Sequence, residues 1–244
     1  MSLLATKNLV KTFGAVHAVD HVDVAFEGGK ITALIGPNGS GKTTLINTIT
    51  GMLPMDGGMV VVSDSVTLDH ISPSEVAAYG ITRTFQSVRL IPQMTVLDNI
   101  LVVLTERTVW SALFEKHTPL HLDAARDVLT KVGLWEKRHE LAENLSYGQR
   151  KLLEIARAIS MNAKVYFFDE PFAGLFTEMA KVISGLLREL RDSGAAVILV
   201  EHNMTLIREL ADHCYVLDTG KIIAEGTPDH VLHQTNVVDA YLGK

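Results

Sequence analysis

The stretch ITALIGPNGSGKTTLINTI, Ile31–Ile49, decides the reading of this chain. Ile31–Ile35 is a short apolar run of the kind that forms a buried strand. A glycine-rich turn follows, and then a helical pattern carrying Leu45, Ile46 and Ile49. Gly36-Pro37-Asn38-Gly39-Ser40-Gly41-Lys42-Thr43 matches G-x-x-x-x-G-K-[ST] in the context that gives the motif meaning, between a strand and a helix. The glycines let backbone N–H groups wrap phosphates, Lys42 reaches the β and γ oxygens, and the Thr43 hydroxyl is placed to hold Mg²⁺. Thr44, the next residue, is counted with this binding loop.

Such a loop needs an acidic partner for its metal. VYFFDEP supplies one, because an apolar strand ends at Asp169. Glu170 follows directly and divides the labour. Asp169 is expected to hold Mg²⁺, and Glu170 to polarise an attacking water as general base.

Outward from these motifs the chain alternates. Residues 1–30 read as short strands, with Val positions roughly alternating over Ala18–Phe26 and a turn at EGGK. Gly58–Asp64 reads as another strand. From about Ile91 to Asn144 the pattern turns helical: MTVLDNILVVL and DAARDVLTKVGLW are helical, with WSALFEKHTPLHL irregular between them. Strand KVYFFDE, helix Thr177–Arg191, strand AAVILVE and hairpin HCYVLDTGKIIAEG then complete an α/β pattern, which implies a parallel sheet covered by helices. Thr227 and Pro228 open a last helix as N-cap and N1. The expected organisation is one domain over 1–244. A β subdomain and phosphate-binding core fill 1–90, a helical subdomain 91–160, and a continuation of the core with a C-terminal helix 161–244.

Composition bounds the function. Apolar residues make up 47% and charged residues 20% of 244, a globular balance. The net charge of −6 gives no basic field for nucleic acid. Cys214 is the only cysteine, so no intramolecular disulfide can form and a reducing compartment is expected. The opening MSLLATKNLVKTF lacks a long apolar run ending in a cleavage-like site, and runs such as AAVILVE are too short to span a bilayer.

ENLSYGQRKLLEIARAI, Glu143–Ile159, adds a helix with an odd start. Ser146 and Gln149 have the spacing of a capping box, yet Gly148 is a poor helix former inside the first turn. A glycine there permits close approach to the backbone, and helix N-termini attract anions.

The order of P-loop, RTFQ, LSYGQRK, FFDEP and VEHN resembles that of ATP-binding-cassette ATPases over essentially the whole chain. The resemblance implies a RecA-like P-loop core with a parallel sheet, an N-terminal antiparallel β subdomain and an inserted helical subdomain, with ATP and Mg²⁺ as ligands. LSYGQ is similar to Leu-Ser-Gly-Gly-Gln, with Tyr147 at the first glycine. In that family two copies pair head to tail, so Ser146, Gly148 and Gln149 of one would close on nucleotide held by the other. Gln86 resembles the glutamine that touches Mg²⁺ and the attacking water. His202 resembles the histidine that contacts the γ-phosphate, and Phe13 the aromatic that stacks on adenine.

RTFQSVRLIPQMTVLDNILV, LSYGQRKLLEIARAI and VVDAYLGK are similar to ATPase subunits of branched-chain amino-acid importers; related systems carry urea or short amides. The resemblance implies transmembrane permease subunits and a second cassette as partners, a solute-binding protein indirectly, no nucleic acid, and a cytoplasmic position on the inner face of the membrane. Phe176 departs from the pattern, standing where Asn or Asp is usual, which leaves open a regulatory cassette with weak turnover. A DNA-repair ATPase would need a coiled-coil insertion and a soluble translation factor a second P-loop, and neither is present. A small-molecule kinase would leave the Ser146 and His202 motifs unexplained.

Overall fold

Strand β1 (Ser2–Phe13) runs for 12 residues, longer than the short strands expected over residues 1–30. Its length is used in pieces: it pairs antiparallel with β2 (Val16–Val22), β3 (Ala25–Glu27) and β5 (Gly57–Val62), with register shifts along each ladder. The alternating stretch Ala18–Phe26 is thereby split between β2 and β3. Buried Thr6 bridges the break, its hydroxyl donating to Val22 O and accepting from Val24 N–H. The computed structural model describes residues 1–63, 65–85, 87–104 and 119–242. These fall into two units, Met1–Arg83 with Ala163–Glu170 and Leu187–Lys244, and Thr84–Asn162 with Pro171–Leu186.

The first unit holds both sheets. The antiparallel one has the order β2-β1-β5-β6, with β3 also on β1 and β6 at Val66–Leu68. The second has the order β11-β10-β4-β9-β8-β7. Here β4 is Lys30–Ile35, β7 Ile81–Arg83, β8 Val165–Asp169, β9 Ala196–Val200, β10 His213–Asp218 and β11 Lys221–Gly226. β10, β4, β9, β8 and β7 are parallel neighbours, and β11 returns antiparallel through the expected hairpin. Thr219 and Gly220 both have positive φ at its turn, as a tight two-residue hairpin requires. All of β8 and β9, and Ile31–Ile35 of β4, are buried, which explains why they read as continuous rather than alternating apolar runs. Phe26 packs edge-on against Phe167 and Tyr215, joining the sheets' cores.

Helix α1 (Lys42–Ile49) follows β4 and buries Leu45, Ile46 and Ile49, as its spacing predicts. Thr227-Pro228 does open a helix, but it is the four-residue turn Pro228–Val231, and a separate helix, Thr235–Leu242, follows.

The second unit is helical. α2 (Val96–Leu104) matches the expected helix; the Thr95 hydroxyl caps it by accepting from Asp98 N–H. α3 (Pro119–Lys131) starts earlier and ends earlier than DAARDVLTKVGLW suggests. Gly133, at φ 68, turns the chain out of helix, so Trp135 falls in a 3₁₀ turn between Arg126 and Arg138. The irregular stretch Trp110–Leu122 lies outside the described residues up to 118. α4 (Tyr147–Ser160) packs with α2 and α3. α5 (Thr177–Asp192) begins in this unit. No helix among the described residues is long and apolar enough to cross a membrane.

Candidate nucleotide site

β4, β9 and β8 are adjacent and parallel, with Leu34, Val200 and Asp169 level in register. Their C-terminal ends therefore deliver three segments to one edge of the first unit: the loop Gly36–Thr44, Glu201–Asn203, and Asp169–Glu170. The carboxyl edge of a parallel sheet is where such folds bind ligands.

The loop is shaped by its glycines. A Cβ on Gly36 would stand 2.0 Å from Leu217 O, and one on Gly41 2.2 Å from Ala18 O. Both have positive φ. The β10–β11 turn buttresses the loop from behind, with Gly220 N–H donating to Ser40 O (2.9 Å). Gly41 is the N-cap of α1 and offers no side chain to the first N–H groups, which leaves them to bind an anion. Lys42 Nζ donates to Gly36 O (2.8 Å), Pro37 O (2.9 Å) and, more loosely, Ser40 Oγ (3.4 Å). Burial lowers the Lys42 pKa, opposed by the charges of Glu170 and Asp169. Pro37 is half-buried, Asn38, Gly39 and Thr43 are exposed, and Thr44 is partly buried.

Asp169 is buried, and its Oδ2 accepts from Arg83 Nη2 at 3.1 Å. Arg83 Nη1 donates to Asn47 Oδ1 of α1 and approaches Thr50 Oγ1. One guanidinium thus ties the end of β7, the helix behind the loop, and the carboxylate at the end of β8. Sequence reading passed over Arg83 although it lies in RTFQ.

Glu170 adopts φ 47, a left-handed conformation rare outside glycine, and its N–H donates to Val200 O (2.9 Å). Its Oε1 lies 3.3 Å from His202 Nε2. The His202 backbone is held in turn: buried Glu201 accepts from His202 N–H (2.9 Å) and Asn203 N–H (3.2 Å) through Oε2. Asn203 then caps helix Met204–Leu210. Glu201 and Asn203 are supports that sequence reading did not single out.

Phe13 ends β1 with half its surface exposed and Lys11 Nζ 5.6 Å from its ring centroid. The assigned Gln86 lies outside the described residues.

In the second unit, Ser146 forms the capping box in full. Gln149 N–H donates to Ser146 Oγ (3.4 Å) and Ser146 N–H to Gln149 Oε1 (3.1 Å). Gly148 has a local reason as well: a Cβ there would lie 2.5 Å from Met179 Sδ of α5. Tyr147 is exposed and packs against Gly174, and Phe176 is 81% exposed.

The donors suit a metal–nucleotide complex. Among the described residues no group of three or more His, Cys, Asp or Glu could hold a metal alone. The Thr43 hydroxyl and the Asp169 carboxylate are hard oxygen donors of the sort that bind Mg²⁺ together with phosphates and water. Fold and site together define a P-loop nucleotide-binding ATPase.

The ABC transporter family model matches residues 19–173. The high-affinity branched-chain amino acid transport ATP-binding protein LivG of Escherichia coli K12 is 36% identical over 251 residues, covering 99% of this chain and 98% of that protein. The protein named probable LivG in Methanocaldococcus jannaschii is 37% identical over 254 residues, covering 100% and 98%. Among solved structures, a nucleotide-free ATP-binding cassette from an ABC transporter is 37% identical, with TM-score 0.85 and full coverage of both chains. The ADP conformation of an ATP-binding cassette of an ABC transporter aligns at TM-score 0.86 with the same identity and coverage. The chain belongs to the ABC transporter family and is an ATP-binding cassette ATPase of that family.

Proposed function

We propose that this chain is the ATP-hydrolysing subunit of an importer for branched-chain or other hydrophobic amino acids, seated on transmembrane permease subunits at the inner face of the membrane. The observation that carries the ATPase half is the edge formed by β4, β9 and β8, where the glycine loop, Asp169, and the Glu170–His202 contact of 3.3 Å converge. The amino-acid half rests on the named relatives, which match the chain end to end.

In this reading Gly36–Thr44 wraps the phosphates with backbone N–H groups, and Phe13 stacks on the base. Lys42 exchanges its bonds to Gly36 O and Pro37 O for phosphate oxygens, which are stronger charge-assisted partners. Thr43 and Asp169, with Gln86, would hold Mg²⁺, which would supply positive charge to offset that of the phosphates. Glu170 takes a proton from the attacking water, and His202, fixed by Glu201, orients the Glu170 carboxylate and meets the terminal phosphate. A second cassette supplies the other face: its Ser146, Gly148 backbone and Gln149 close over the nucleotide. ATP then favours the closed pair because only that pair touches it from both sides.

The test is reconstitution of the chain with its permease and solute-binding protein in vesicles, measuring ATP-driven uptake of leucine, isoleucine, valine, phenylalanine, urea and acetamide. Uptake of the branched-chain amino acids with matching phosphate release is expected. Uptake of urea or acetamide alone, or of none, would overturn the assignment.

A further inference from the structure

α4 buries charged groups on one face. Lys151 and Glu154 are almost wholly inaccessible, 0% and 2% exposed, and Arg157 lies one turn further along. Buried charges of this kind are costly unless they are held by specific partners. Here much of the partnering is a single residue's backbone. Glu154 Oε1 accepts from Arg89 N–H at 2.9 Å, and Arg157 Nη2 donates to Arg89 O. An i, i+3 pair on α4 therefore satisfies both the donor and the acceptor of one peptide residue. The contact reads backbone rather than side chain, since the Arg89 guanidinium turns away to stack 3.7 Å from the Phe85 ring centroid.

Lys151 Nζ stands 3.9 Å from the other carboxylate oxygen, Glu154 Oε2. It is too far for a direct bond but near enough to hold the carboxylate charge. Burial pushes the Glu154 pKa up, opposed by Arg89 N–H, Lys151, Arg157 and the Phe85 backbone. Desolvation likewise lowers that of Arg157.

We propose that Glu154 and Arg157 are positioning residues that clamp the Arg89 backbone to α4, so that the segment entering the helical unit moves as one body with the helix whose first turn carries Ser146. Neither residue is among those assigned to the nucleotide, and their contacts run to the Arg89 backbone. The clamp transmits position between Arg89, which follows the RTFQ motif in sequence, and the Ser146 end of α4. Both halves lie in the second unit, so the clamp is internal to it.

The test separates the bond from the charge. Glu154→Asp keeps the carboxylate but shortens its reach, whereas Glu154→Gln keeps the reach and an acceptor oxygen but removes the charge. Hydrogen exchange is followed on the full chain, together with ATP affinity and ATPase rate. In Glu154→Asp the Arg89 amide is expected to exchange about tenfold faster, the size of one lost hydrogen bond, while amides within α4 keep their protection. Given the proposed closure of Ser146 over a second cassette's nucleotide, on which this rests, its kcat should fall as that face is misplaced, with ATP affinity unchanged because the phosphate loop lies in the other unit. Glu154→Gln, whose amide oxygen can still accept from Arg89 N–H, should keep Arg89 exchange within about threefold of the parent and a kcat above that of Glu154→Asp, its cost falling on global stability through the uncompensated Lys151. Unchanged Arg89 exchange in Glu154→Asp, equal damage in both variants, or loss of ATP affinity in step with kcat would each overturn the clamp.

Discussion

Replacing Arg83 with Met removes the guanidinium from a pair whose side chains are only 6% and 8% exposed. Methionine fills comparable space without charge, so the cost falls on what Arg83 held. Asp169 Oδ2 loses a 3.1 Å donor, and Asn47 Oδ1 on α1 loses another. Breaking a buried ion pair costs about 3–5 kcal/mol. Lys42 remains a Coulombic neighbour of Asp169 and softens the loss, so the low end applies. At about 3 kcal/mol the melting temperature should drop by roughly 6–12 °C in a chain of this size. The assay is thermal unfolding of the parent, Arg83→Met, Asp169→Asn and the double variant. If the guanidinium–carboxylate bond is the term that matters, the double variant loses far less than the sum of the singles, with a coupling of about 1–3 kcal/mol. A shift below about 1 °C in Arg83→Met, or additive losses in the cycle, would refute the reasoning.

Gly41→Ala should abolish tight ATP binding while leaving the sheet folded, since its Cβ would meet Ala18 O at 2.2 Å in a loop held at φ 107; equilibrium binding of a fluorescent ATP analogue checks this. Asp56 is held down at a pKa of about 2, chiefly by Thr12 N–H and then by Lys11 and the Thr12 hydroxyl. A depressed carboxylate contributes stability above its unfolded value near 4, and the contribution fades as pH falls toward 2. Asp56→Asn should therefore flatten the parent's loss of stability between those pH values, read by denaturant titration across that range. Phe176 is 81% exposed and stands where the sequence resemblance implies Asn or Asp, so Phe176→Asn should raise the Hill coefficient for ATP hydrolysis; an unchanged coefficient and rate would count against that.

The phosphate loop, Asp169 and the central strands were legible in the chain because their signals are local. Ile31–Ile35, Val165–Asp169 and Ala196–Val200 are apolar runs buried on both faces, and the loop's glycines are dictated by clashes at Gly36 and Gly41. Arg83 was not legible, because its partner Asp169 is 86 positions away and the pairing exists only once β7 lies beside β8. The same holds for Arg89 with Glu154 and Arg157, since nothing in RTFQSVR or LLEIAR alone marks these three residues as partners. Gly148 reads in the sequence as an approach point for an anion, while the atom its missing Cβ makes room for, Met179 Sδ of α5, carries no mark in the LSYGQ motif. The full length of β1 is not legible in the sequence, because its alternation is broken by register shifts, which follow from serving several partners.

If Glu170, held beside His202 at the edge of the phosphate cradle, is the base, its carboxylate is needed for the chemical step and not for binding. The direct measurement is phosphate release under single-turnover conditions by Glu170→Gln, with ATP affinity measured on the same sample. ATP affinity should stay within about twofold of the parent while the hydrolysis rate falls about a hundredfold or more. Hydrolysis at the parental rate would contradict the account.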